Sequence, residues 1–169
     1  MFISIAEANW ILAIIRLENL KVSNVESLLD VDISNCENLQ SLIIDTENLH
    51  NLNASVCSSL KSFIYQNRNY YGDLKKWNLT SLNMSKCTSL TSLSCDFNKI
   101  KELDISGCTA LITLSVYFNN LEALDAHTCL ALNNLYTFGN SDLKTLTLNK
   151  NHQITTLCKD DHTEIVLLD

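Results

Sequence analysis

The chain has 169 residues, a formal net charge of −7, 46 % hydrophobic residues, no proline and three glycines. It can bury the core of one ordinary domain. It is too acidic for a protein that tracks phosphates with clustered Lys and Arg, and too poor in Pro and Gly for flexible linkers or Gly-rich calcium-binding repeats.

Residues 1–30 do not repeat. The apolar stretch Trp10–Ile15, bounded by Asn9 and Arg16, falls short of the ~18 residues of a membrane span. The start, Met1–Ile5, has no basic region and meets Glu7 early, so no signal peptide is expected. Ser4-Ile5-Ala6-Glu7 and Ser23-Asn24-Val25-Glu26 fit the capping box, in which Ser accepts from an early helix amide and Glu reaches back. Trp10, Ile14 and Leu17 fall on one helical face. The pattern predicts two short helices forming an N-terminal cap on whatever follows.

From residue 31 a fixed period sets in. Cys36 and Cys57 are 21 residues apart, and Cys87, Cys108 and Cys129 follow at the same step. The step from Cys57 to Cys87 is 30, which places an insertion near 64–78. A period of roughly 20–30 residues marks a solenoid, whose repeats bury their apolar side only against one another. Each coil splits into two halves. Lys101–Leu111 gives one (x-x-L-D-I-S-x-C-x-x-L) and Thr91–Ile100 the other (x-x-L-x-C-x-x-N-x-I).

The columns Val31, Leu52, Leu82, Leu103, Leu124, Leu146 and Leu42, Phe63, Leu93, Leu114, Leu135 hold through the array. Within each half apolar and polar residues alternate, which predicts one short half-buried strand per half. Residues 31–169 are therefore expected to wind into about six coils carrying two parallel β-sheets. The Cys column should pack as small buried apolar side chains, since free Cys is among the most buried residue types. Asn98, Asn119 and Asn140 should turn inward and bind backbone amides of their own loop and of the next coil. The pattern frays at the end, where Asn151 takes the Cys place and the chain runs into Val166-Leu167-Leu168-Asp169.

These motifs resemble the bacterial leucine-rich repeats of about 21 residues found in internalin-like and Bacteroidetes cell-surface proteins. The match covers roughly residues 31–165. The resemblance implies an α/β repeat solenoid, a right-handed leucine-rich-repeat coil with a helical N-terminal cap. It also implies an extracellular or cell-surface location and a protein or glycan partner. Residues 16–23 lack the Asp- and Gly-rich run that would carry calcium in such caps, so no metal is carried over.

Two places stand out as binding candidates. Outward positions of the second-half strands carry Tyr136, then Tyr117 and Phe138, with Phe97 and Phe118 at the strand end. Neighbouring coils would gather these rings on one open face, and aromatics dominate binding hot spots. The insertion holds Tyr70, Tyr71 and Trp77 among Arg68, Lys75 and Lys76, and loops on a regular scaffold often carry recognition.

Other features read as structural. Asp32, Asn53, Asn83, Asp104 and Asp125 form one outward column that reads as a solvated polar ladder rather than a calcium strip. The equal orientation of stacked Cys argues against disulfides, and a 21-residue step is not a zinc spacing. His127 has no acid placed to orient it, and no nucleophile elbow appears. The expectation is a non-enzymatic binding module with no cofactor, no nucleic-acid partner and no membrane insertion. Its open last coil could pair with another copy. The alternative is a spacer within a larger surface protein.

Overall fold

A computed structural model describes residues 2–4, 16–23, 25, 28–46, 48–65 and 78–169 of the chain; of residues 2–4 only the backbone is described. Fifteen strands occur among them, in this order: β1 (Phe2–Ser4), β2 (Asn19–Ser23), β3 (Asp30–Asp32), β4 (Ser41–Asp45), β5 (Asn51–Asn53), β6 (Ser62–Tyr65), β7 (Ser81–Asn83) and β8 (Ser92–Ser94). The second half continues with β9 (Glu102–Asp104), β10 (Thr113–Ser115), β11 (Ala123–Asp125), β12 (Asn134–Tyr136), β13 (Thr145–Asn149), β14 (Thr156–Cys158) and β15 (Glu164–Leu168). Even-numbered strands form one continuous seven-stranded sheet. Odd-numbered strands form the other side, as a five-stranded sheet ending at β9 and a three-stranded sheet starting at β11. Every pairing is parallel. The molecule is a β-solenoid of about 6 turns with repeats of ~21 residues.

The register follows the sequence columns. Val31 pairs with Leu52, Leu52 with Leu82 and Leu82 with Leu103. On the other side Leu93 pairs with Leu114, and Leu114 with Leu135. These side chains meet across a thin core in which Leu39, Leu60, Leu90, Leu111, Leu114 and Leu135 are fully buried. Each buried Leu contributes about 1.5–3 kcal/mol by leaving water. A one-residue slip would turn its whole row to solvent.

The helical cap is not seen. No helix occurs among the described residues, and two stretches assigned to the cap are strands. β1 pairs with β3, and β2 pairs with β4, so the parallel sheets take in residues 2–4 and 19–23. The reason at β2 is local. Leu20 and Val22 pack against the core and alternate with Lys21 and Ser23, which is a period of two rather than 3.6. Residues 5–15, with Trp10 and Ile14, lie outside the described residues, as do Asn24 and Glu26 of the second capping box.

Turns between halves are built from side chains as well as backbone. The outward Asp/Asn column is not merely solvated. Oδ1 of Asp32, Asn53, Asn83, Asp104 and Asp125 each accepts the amide two residues on, at 2.9–3.1 Å. Such Asx turns pre-form the corner. The next position in four coils takes positive φ: Asn35 at 63°, Val56 at 62°, Lys86 at 61° and Gly107 at 74°.

The Cys column then enters the core, where Cys36, Cys57, Cys87, Cys108 and Cys129 are free and fully buried. These thiols do more than fill space. Sγ of Cys57, Cys87, Cys108 and Cys129 donates to the carbonyls of Ile33, Ala54, Met84 and Ile105 in the preceding coil, at 3.0–3.4 Å.

Candidate interaction surface

At the end of each second-half strand the chain must reverse, and an Asn column holds the reversal. Asn119 donates through Nδ2 to the carbonyls of Val116 and Tyr117 in its own loop and of Cys95 in the coil before, at 3.0–3.2 Å. Its Oδ1 accepts the Ile100 amide at 3.0 Å. Asn140 repeats the arrangement with Val116, Thr137 and the Leu121 amide. Asn does turn inward as expected. Its partners include carbonyls, and they belong to its own and the preceding coil. Removing such a side chain strands several buried groups, each costing about 1–3 kcal/mol.

The residue just before each Asn takes positive φ: Phe97 at 58°, Phe118 at 50° and Gly139 at 84°. For a bulky side chain this region is a genuine outlier, costing about 1–2 kcal/mol. Glycine occupies it freely, and Gly139 does so here. A Cβ at Gly139 would lie 2.6 Å from Cδ1 of Phe118, so the glycine also makes room for that ring.

The result is an aromatic cluster. Phe97 and Phe118 stack with centroids 5.0 Å apart and planes 11° apart. Phe118 meets Phe138 edge-on at 5.9 Å, and Tyr117 leans on Tyr136 at 5.6 Å and on Phe118 at 6.4 Å. The surface is open to water: Phe118 and Phe138 are each 44 % exposed. All five expected aromatics of this face are thus brought together. Tyr70, Tyr71 and Trp77 of the insertion lie outside the described residues.

Polar residues bound the cluster. Asp96 precedes Tyr117 in its column; its Oδ1 accepts the Ser115 hydroxyl at 2.7 Å and the Tyr117 amide at 2.8 Å, and its Oδ2 accepts the Ser94 hydroxyl. Asp160 follows Phe138 and accepts the amides of Gly139 and Asn140 through Oδ2 at 2.9 and 3.2 Å. Cys158 pairs in register with Tyr136. A hydrogen bond to Cys158 comes first among the causes that push the Tyr117 phenol up to about 12. The signal for Asp160 was weak, because the last coil slips by one residue: Leu135 pairs with Leu157, 22 residues on.

The opposite face holds one correction. His127 does have an acid beside it, with Asp125 Oδ1 2.7 Å from its Nδ1. The pair sits on the exposed strand surface, and the reach of an Asx carboxylate back to its own turn explains it. Among the described residues no group of three or more His, Cys, Asp or Glu side chains is arranged to hold a metal ion, and no helix is long and apolar enough to cross a membrane. No family model matches the chain, and no match to it was found among the curated proteins or the solved structures.

Proposed function

We propose that the chain is a non-catalytic binding module of the leucine-rich-repeat type, from an exported or surface-attached bacterial protein. It takes a protein partner through Phe97, Tyr117, Phe118, Tyr136 and Phe138. One observation carries this reading. Two phenylalanines hold positive φ at an exposed turn where Gly139 shows that glycine fits. Strained residues kept at the surface gather at functional sites.

A protein partner suits the cluster better than a glycan. The rings lean on one another at 11° to 90° instead of offering one flat platform. The nearby Asp96 oxygens are engaged by Ser94, Ser115 and Tyr117, so they are poorly placed to receive sugar hydroxyls. Interlocked aromatics with a polar border match the anatomy of a protein hot spot.

The test is an array screen of extracellular proteins and of glycans with the wild type and a Tyr117→Ala, Tyr136→Ala, Phe138→Ala variant. The expected result is a protein hit that the variant loses at least tenfold. A glycan hit lost in the same variant would move the reading to sugar recognition. Hits kept by the variant would remove the aromatic face from it altogether.

A further inference from the structure

The odd-numbered side of the solenoid is broken at one step. At every other described step the residue after the strand donates to the next coil: Ile33 to Asn53 O, Ala54 to Asn83 O and Met84 to Asp104 O at 2.8 Å, and Ala126 to Thr147 O at 2.9 Å. Ile105 makes no such bond to Asp125, and β9 and β11 share no ladder. The break is local. Asn120 still donates to Ile100 O at 3.0 Å on one side of it, and Gly107 donates to Thr128 Oγ1 at 2.9 Å on the other. On the even-numbered side β8, β10 and β12 pair without interruption. An open cleft of about 490 Å³ lies over β7, β9 and β11 at this place, lined by Leu82, Glu102, Leu103, Asp104, Ala123 and Asp125. Leu103 is only half-buried there, whereas Val31, Leu52, Leu82, Leu124 and Leu146 of its column are buried.

The outward column explains the position. Its successive members are Asp32, Asn53, Asn83, Asp104, Asp125 and Thr147. Each step sets a carboxylate beside a neutral side chain, or two neutral ones together, until Asp104 meets Asp125. Like charges directly opposite in a ladder are destabilising. Their repulsion at one strand spacing is about the net worth of one exposed ladder hydrogen bond, a cost that no other step of the column carries. Glu102 lines the same cleft and adds to the repulsion, while Lys101 lines it and His127 touches Asp125 from the other side.

We propose that the β9–β11 break is a charge-held opening: parted while Asp104 and Asp125 are both ionised, and zipped into a continuous sheet when either charge is removed or screened. Opening bares two strand edges in mid-sheet, where a closed solenoid shows none.

Amide hydrogen exchange at Ile105, followed by NMR with Met84 and Ala126 as references, tests this. In the wild type at low salt Ile105 exchanges at least about tenfold faster than either reference. Asp104→Asn and Asp125→Asn each slow it to the reference rate. Asn keeps the turn-forming Oδ1, as Asn53 and Asn83 do in the same column. In the wild type 1 M NaCl, which cuts the Debye length to about 3 Å, slows it likewise. An Ile105 amide protected like Met84 at low salt would overturn the proposal. So would fast exchange persisting in folded Asn variants. Should both variants misfold, fast exchange persisting in 1 M NaCl would overturn it on its own.

Discussion

Single residues build the turns of this molecule: an Asn column feeds buried backbone, and five residues other than glycine hold positive φ. The Asn98, Asn119 and Asn140 step announced its own role, because a polar side chain recurring inside an apolar array must be feeding buried backbone. Positive φ had no such signature. Gly107 and Gly139 hint at it, but Asn35, Val56, Lys86, Phe97 and Phe118 adopt it without glycine, and side-chain type alone did not reveal the five. Val56 is the clearest misfit, a β-branched residue at φ 62°. Asn35 serves the same position one coil earlier, so Val56→Asn should raise the unfolding free energy by about 0.5–1 kcal/mol through relief of strain. Urea denaturation with an unchanged m-value would show it; a loss of stability would mean that the Val56 side chain matters more than its backbone.

At the level of strands and columns, alternation located the strands of the repeats well but β2 was missed: Leu20 and Val22, read as part of a helical cap, alternate with Lys21 and Ser23 and bind the chain into a sheet. The thiol column shows the same mixture. Burial of the cysteines was legible from spacing, while their donation to carbonyls of the preceding coil depends on the depth of the coil stack and was not. Burial pushes the Cys87 thiol up to about 11 and those of Cys108 and Cys129 to about 12, from an ordinary value of 9.0.

A raised thiol pKa means that the folded chain keeps protons the unfolded chain gives up. Stability is therefore full below pH 9 and falls as pH climbs from there toward 11–12. Urea midpoints at pH 8, 9 and 10 should decline in that order. In native protein at pH 8, iodoacetamide should label Cys158 first, since it is the one cysteine not fully closed off, with all seven reacting in urea. Equal labelling of Cys108 would contradict the buried column.

Over the whole molecule the architecture was legible because a solenoid repeats its instructions: the same residue types recur at one spacing until register has no alternative. What the spacing could not reveal were the ends and the exceptions. Asp104 and Asp125 stood side by side in the outward column, but spacing does not show whether a ladder closes across them. The last strand also departs from the repeat. Ile165 and Leu167 continue the core columns yet are 40 % and 60 % exposed, and Val166 and Leu168 put apolar side chains where earlier coils carry polar ones. An unpaired edge that is apolar on both faces favours association. Sedimentation velocity should show concentration-dependent self-association that Val166→Lys with Leu168→Lys abolishes. Unchanged association in that variant would place the contact elsewhere.

The proposed function separates rings that serve a partner from leucines that hold the coils together. Equilibrium unfolding of Phe118→Gly beside Leu114→Ala, two changes in one coil, measures it most directly. Gly removes a half-exposed ring and relieves the backbone, so its cost should stay within about 1 kcal/mol, while the buried Leu114→Ala costs about 2–5 kcal/mol. A Phe118→Gly penalty as large as that of Leu114→Ala would make the aromatic cluster part of the core and contradict its assignment as a binding surface.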